Sequence, residues 1–202
     1  MAPIDVELVL PDQVDGMPDV VEDGATLEDN ALKKAREIRD FTGLCALADD
    51  TGLEVDALGG APGVYSSRYA GENVTYDDNN TKLLRELEGV PLNGRTARFR
   101  CVMALALTNE SQEMLYTRMK QGGGDGVEVP ESLVTEGILE GRIALQRRGQ
   151  HGFGFDPLFE VPQEKKTLAE MTLEAKNQIS HRYRALVEMR ELLIRWSLVS
   201  ER

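Results

Sequence analysis

Two adjacent carboxylates, Asp49 and Asp50, follow an apolar run in A-L-A-D-D-T-G. At the end of a strand such a pair divides its duties. Neighbouring strand residues point to opposite faces, so one carboxylate faces a ligand cleft while the other orients it or reaches a metal. A carboxylate facing the cleft can take a proton from water. Read alone, the segment serves equally well as an acidic turn. A second cluster lies in R-R-G-Q-H-G-F-G-F-D-P-L-F-E-V-P, residues 147–162. Phe153 and Phe155 stand among glycines beside Asp156, which suits a purine: a ring stacks on it and the carboxylate reads a ring N–H. A hydrophobic loop anchor would use the same aromatics. A third cluster, K-N-Q-I-S-H-R-Y-R, gathers Lys176, His181 and Arg182. Ser180 is placed there to cap a helix whose first N–H groups favour an anion. Alone, that run reads as a solvated helix face. The glycines Gly59, Gly60 and Gly63 form no P-loop, because no G-K-[S/T] follows them.

The elements that must position these residues are legible in outline. Residues 4–10 read as a strand and residues 11–25 as loop. Thr26 and Asp29 have the spacing of a capping box, so a helix begins there and runs to Gly43. Residues 44–48 read as a short strand and L-E-V-D-A-L as another, before G-G-A-P-G forbids regular structure. Thr75 and Asp78 open a second helix that ends by Gly89. From Thr96 to Thr108 apolar residues alternate, and the second half is apolar on both faces, as in a strand covered on both sides. E-M-L-Y-T-R-M reads as its partner strand, residues 122–126 as a turn, and V-T-E-G-I-L-E-G-R-I-A-L as a strand with a glycine irregularity. The end is a helix with Leu186, Met189, Leu193 and Trp196 on one stripe. The class is mixed α/β.

Composition narrows the function classes. A hydrophobic fraction of 41% with 29% charged residues fits a globular chain rather than a disordered one. The formal net charge of -12 disfavours nucleic-acid binding, although a local cationic cleft or a carboxylate-held metal still accepts a triphosphate. No apolar run is long enough to span a bilayer and no signal peptide is evident. Cys45 and Cys101 read as reduced, buried thiols. A cytoplasmic protein with no membrane partner is expected.

Four runs, EDGATLEDNALKKA, ALADDTGLEVDALGGAPGVYSSRYAG, GFGFDPLFEVP and KTLAEMTLEAKNQISHRYRAL, together resemble the Ham1-like family. This family comprises pyrophosphatases of non-standard purine nucleoside triphosphates, also called inosine triphosphatases or dITP/XTP pyrophosphatases. The runs occur in the family's order. The resemblance implies a single domain over residues 1–202, two-lobed, with a long twisted mixed β-sheet flanked by helices. It further implies an active-site cleft between the lobes, a homodimer and a need for Mg²⁺. The implied reaction converts dITP, ITP or XTP to the monophosphate and pyrophosphate. By motif, Asp50 is the implied catalytic base, and Glu22, Asp49 and Asp50 form the metal site. Lys34 is an implied phosphate contact, and Thr51 and Arg68 are further substrate contacts. Phe153, Phe155 and Asp156 are the implied purine pocket, with Lys176, Ser180, His181 and Arg182 as base and phosphate contacts. The family's usual opening strand and S/T-x-N-x-x-K motif are not in this sequence. The alternative expectation is therefore a nucleotide-binding member impaired in catalysis.

Overall fold

Thr26 opens the first helix as its spacing to Asp29 predicts. In the computed structural model, which describes residues 6–121 and 128–196, the Thr26 hydroxyl accepts from the Asp29 amide at 3.0 Å. The Asp29 carboxylate accepts in return from the Thr26 amide at 3.1 Å. Helix α1, Leu27–Thr42, follows. It stops at Gly43, whose left-handed φ of 70° lets its N–H reach the Arg39 carbonyl. The same reciprocal cap, Thr75 with Asp78, opens α2, Tyr76–Glu86.

Strand β1, Ala46–Val55, runs straight through Asp49 and Asp50 instead of ending at them. The two short strands expected here are one. Leu53 and Val55, fully buried at a spacing of two, carry the extended backbone past the polar pair. The turn that follows uses the left-handed Gly59 and Gly60. The glycine-rich stretch nevertheless yields a two-residue strand, β2, Pro62–Gly63. Strand β3, Thr96–Ala106, shows the expected burial: alternating at first, then covered on both faces from Cys101 to Ala104.

The expected partner strand over residues 113–119 is instead helix α3, Asn109–Gln121. Thr108 accepts from the Ser111 amide at its start, and the Glu, Gln, Met, Leu, Arg and Lys that fill it are good helix formers. Residues 6–10, expected as strand, have no regular structure. Leu8 and Val9 on successive faces are both exposed, so no burial drives pairing there. Residues 122–126 lie outside the described residues. Strand β4, Ser132–Ile143, follows, then β5, Phe159–Val161, and β6, Lys166–Thr167. Gly141 has a physical reason: a Cβ there would meet the Phe159 ring at 2.5 Å. Helices α4, Leu173–Ile179, and α5, His181–Arg195, close the described chain. Met189 is buried, whereas Leu186 of the predicted stripe is exposed. Of the two cysteines expected to be buried, Cys101 is, whereas Cys45, just ahead of β1, is exposed.

The chain divides into two compact units. The strands lie in the order β2-β1-β3-β4-β5-β6, and the second unit, Thr51–Cys101 with Glu136–Arg184, holds β2, β5, β6 and parts of β1, β3 and β4. The pairs β1–β2, β4–β5 and β5–β6 are antiparallel. Two of these pairs are joined by short turns, which parallel strands cannot use. The core of this unit includes Leu53, Leu83, Phe99, Leu139, Leu158 and Phe159. The first unit takes the chain up to Asp50, Val102–Thr135 and the residues from Ala185. Ala31, Ala35, Ala104, Leu115 and Met189 are buried in it. Among the described residues no helix is long and apolar enough to cross a membrane.

Candidate active site

In the first unit, one face of α1 is built around Asp50. Asn30 and Lys34 are four residues apart, so they share that face. The Asn30 amide donates to Asp50 Oδ2 at 3.1 Å, and Lys34 Nζ donates to Asp50 Oδ1 at 3.1 Å. Lys34 Nζ also donates to Glu22 Oε1 at 2.7 Å. Glu22 lies in irregular backbone, and its neighbours hold that backbone against the helix. Lys33 bonds Asp23 at 2.6 Å, and the Gly24 amide donates to Asn30 Oδ1 at 2.8 Å. A Cβ on Gly24 would sit 2.6 Å from Asn30 Oδ1, which explains the glycine.

Asp50 is only 8% exposed. Burial pushes its carboxyl above the usual carboxylate value, and the bonds from Asn30 and Lys34 oppose this without cancelling it. Burial pulls the Lys34 ammonium down, but its hydrogen bond to Glu22 and the Asp50 charge outweigh that, and the net shift is upward. Lys34 is thus held charged between two carboxylates. Asp49, the preceding strand residue, is half-buried and belongs to the opposite face of β1. Thr51 continues the strand and is half-buried.

In the second unit, the loop 152–156 presents one ring and hides the other. Phe153 is 53% exposed, while Phe155 is 4% exposed and packs edge-on to Tyr69 within the core. Of the two aromatics expected to line a purine pocket, Phe153 presents its ring to solvent and Phe155 is part of the core. Cations flank that ring: Lys176 Nζ lies 4.8 Å and Arg182 Cζ 5.7 Å from its centroid. Buried Asp156 pairs with Lys176 through Oδ2, which also accepts the Phe153 amide at 2.9 Å. A Cβ on Gly152 would collide with that carboxylate at 2.0 Å. Ser180 caps α5 as predicted, accepting from the Tyr183 amide at 3.1 Å. His181 is buried and stacks on Phe99, with centroids 4.8 Å apart. Arg68, in the turn Ser66–Arg68, lies over the Tyr65 ring at 5.1 Å.

Comparison with known proteins decides the family. The Ham1 family model matches residues 2–192. The chain belongs to the Ham1 family. A relative from Desulforamulus reducens, named a dITP/XTP pyrophosphatase, is 48% identical over 96% of this chain and 87% of its own length. Another of that name from Geobacter sulfurreducens is 49% identical over 87% of this chain and 78% of its own. A solved HAM1 protein from Coxiella burnetii matches with a TM-score of 0.74 at 41% identity, covering 89% of this chain and 82% of that one.

Within this Ham1 chain, sequence reasoning missed two asparagines that brace candidate site residues. Asn30 sits inside the N-A-L-K-K-A run, and Asn80 bonds the Gly154 carbonyl at 2.8 Å. The available signal was an asparagine in a helix interior, where its propensity is poor and a buried amide needs a bonding reason.

Proposed function

We propose that the protein hydrolyses non-standard purine nucleoside triphosphates, dITP, XTP and ITP, to the monophosphate and pyrophosphate. The observation that carries this reading is Asp50, a buried carboxylate whose pKa is raised by burial, fixed by Asn30 and Lys34. Such a group holds a water and takes its proton as oxygen attacks phosphorus. Lys34 brings positive charge to the phosphate oxygens, where positioning and electrostatics do most of the work. The family names of the relatives agree with this substrate class.

A divalent cation, Mg²⁺, fits the donor set. Glu22 and Asp50 point hard oxygens at one place, where the Lys34 ammonium sits. Among the described residues no group of three metal-ligating side chains occurs. Mg²⁺ does not require one, since it is commonly held by one or two carboxylates and the substrate phosphates. Glu22 and Asp50 would hold it, with Asp49 supporting from the next position. When bound, the ion neutralises phosphate charge.

The base is read by the second unit's cluster. Phe153 offers its face, Asp156 and Lys176 fix the loop, and His181 and Arg182 supply polar contacts. Thr51 and Arg68 are further substrate contacts. Phe155 contributes as the buried anchor of this loop. The protein acts as a homodimer in the cytoplasm. An impaired nucleotide-binding member is not favoured, because the carboxylate and lysine cluster is in place.

Incubation with dITP and Mg²⁺ tests this reading. Equal amounts of dIMP and pyrophosphate are expected, with dITP preferred over dATP by about 10–100-fold, the effect of one or two mismatched buried polar groups. Equal efficiency on both nucleotides contradicts it.

A further inference from the structure

We propose that Asn80 is a positioning residue for base recognition: its buried amide holds the Gly154 carbonyl and so aims the Phe153 ring. This rests on the reading of Phe153 as the base-stacking residue.

Asn80 lies on α2 and is 3% exposed. A buried amide in a helix interior is unfavourable unless its N–H groups are used. Its Nδ2 donates to the Tyr76 carbonyl at 2.7 Å and to the Gly154 carbonyl at 2.8 Å. Both partners are acceptors, so the orientation of the amide follows from chemistry. Asn80 Oδ1 has no hydrogen-bond partner among the described residues, so the donor side carries the interaction.

Gly154 stands between the exposed Phe153 and the buried Phe155, at a φ of 60° that favours glycine. The loop is therefore fixed on both sides of Phe153's own peptide. Asp156 accepts its N–H and donates its own amide to the Phe153 carbonyl at 3.2 Å. Asn80 grips the next carbonyl. Tyr76, one turn earlier on α2, places its ring 6.2 Å from Phe153. The same helix steadies another predicted contact through Asn79. That side chain accepts the Ala70 amide at 2.7 Å and donates to the Ser67 carbonyl at 2.9 Å, on either side of Arg68. Helix α2 thus acts as a strut for the base-reading loop.

The test compares Asn80→Asp, which keeps shape but loses the donor, and Asn80→Ala with the full-length protein. Leu115→Ala, a core truncation in the other unit, serves as a stability control. Loss of one well-buried hydrogen bond is expected to raise KM for dITP about tenfold. It is also expected to lower the dITP-to-dATP preference similarly and to leave kcat within about twofold. Hydrogen exchange at the Asp156 amide should quicken about tenfold, with α1 and β3 unchanged. A merely structural role would act as Leu115→Ala does, lowering apparent kcat through lost folded protein while KM and preference stand. Native KM and preference in folded Asn80 variants overturn the proposal, even with faster exchange. If the unmodified protein releases no pyrophosphate from dITP, the functional reading fails instead. Exchange at Asp156 then decides whether Asn80 holds the loop, and native exchange overturns it.

Discussion

Asp50 and Glu160 are both buried carboxylates, and their surroundings move them in opposite directions. Burial raises Asp50, and one amide and one shared lysine fail to offset it. Burial would raise Glu160 too, but two arginines overcome that and hold it below the usual carboxylate range. Arg142, directly across the strand pair, bonds it at 2.6 Å through Nε. Arg148 bonds its other oxygen at 2.6 Å. Glu160 ties β4 to β5 and leaves no oxygen for chemistry. Asp50 shares its lysine with Glu22 and keeps basicity to spare. An under-compensated buried carboxylate costs the fold stability, and in the proposed function that cost supports a proton acceptor.

The largest effect expected from this contrast is on turnover. Asp50→Asn keeps the shape but turns one of the two acceptor oxygens into a donor and removes the proposed base. We expect kcat on dITP to fall by about 10²–10⁴, the usual worth of a general base, with a native far-ultraviolet spectrum. Steady-state kinetics check this, and turnover within tenfold of the parent would make Asp50 no more special than Glu160. Glu160→Gln should do the reverse. Removing the charge leaves two arginines facing one another. The loss is put at about 1–3 kcal/mol, below the full buried-pair value because both arginines are a third exposed. That corresponds to a fall in Tm of roughly 2–12 °C for a chain of this size. Turnover per folded molecule should stay within about twofold. A large kinetic defect at native Tm would exchange the two roles.

The subtlest expectation is one of sign. Asp50 has a raised folded pKa, so the folded state binds that proton more tightly than the unfolded chain. Its cost is absent below the unfolded pKa and grows as pH rises through the folded one. In chelator, the melting temperature of Asp50→Asn relative to the parent should therefore rise with pH across the acid range. Glu160 has a lowered folded pKa, so its stabilisation is present above the unfolded pKa and lost as pH falls through the folded one. The Glu160→Gln deficit should shrink on acidification. Melting curves across the acid range check both, and slopes of the same sign would break the contrast.

The contrast also marks what the sequence could disclose. Asp50 is legible from its D-D-T-G run, and the helix that serves it from the Thr26 and Asp29 spacing, because caps depend on local geometry. The alternation of β3 is equally local. The identity of Glu160 as a buried charge is not legible, because its arginines come from 18 and 12 residues away. Helix α3 is not legible because, among its described side chains, Leu115 alone is fully buried, leaving no apolar stripe to show its period. Phe153 and Phe155 look alike in the sequence. Only the turn at Gly154 sends one ring to solvent and the other to the core.

The most direct test of the central claim is the product of a single reaction, followed by ³¹P NMR with dITP, Mg²⁺ and either the parent protein or Asp50→Asn. The account predicts dIMP and pyrophosphate in equal amounts from the parent and almost none from the variant. Release of inorganic phosphate with dIDP, or pyrophosphate formed equally well by the variant, would contradict it.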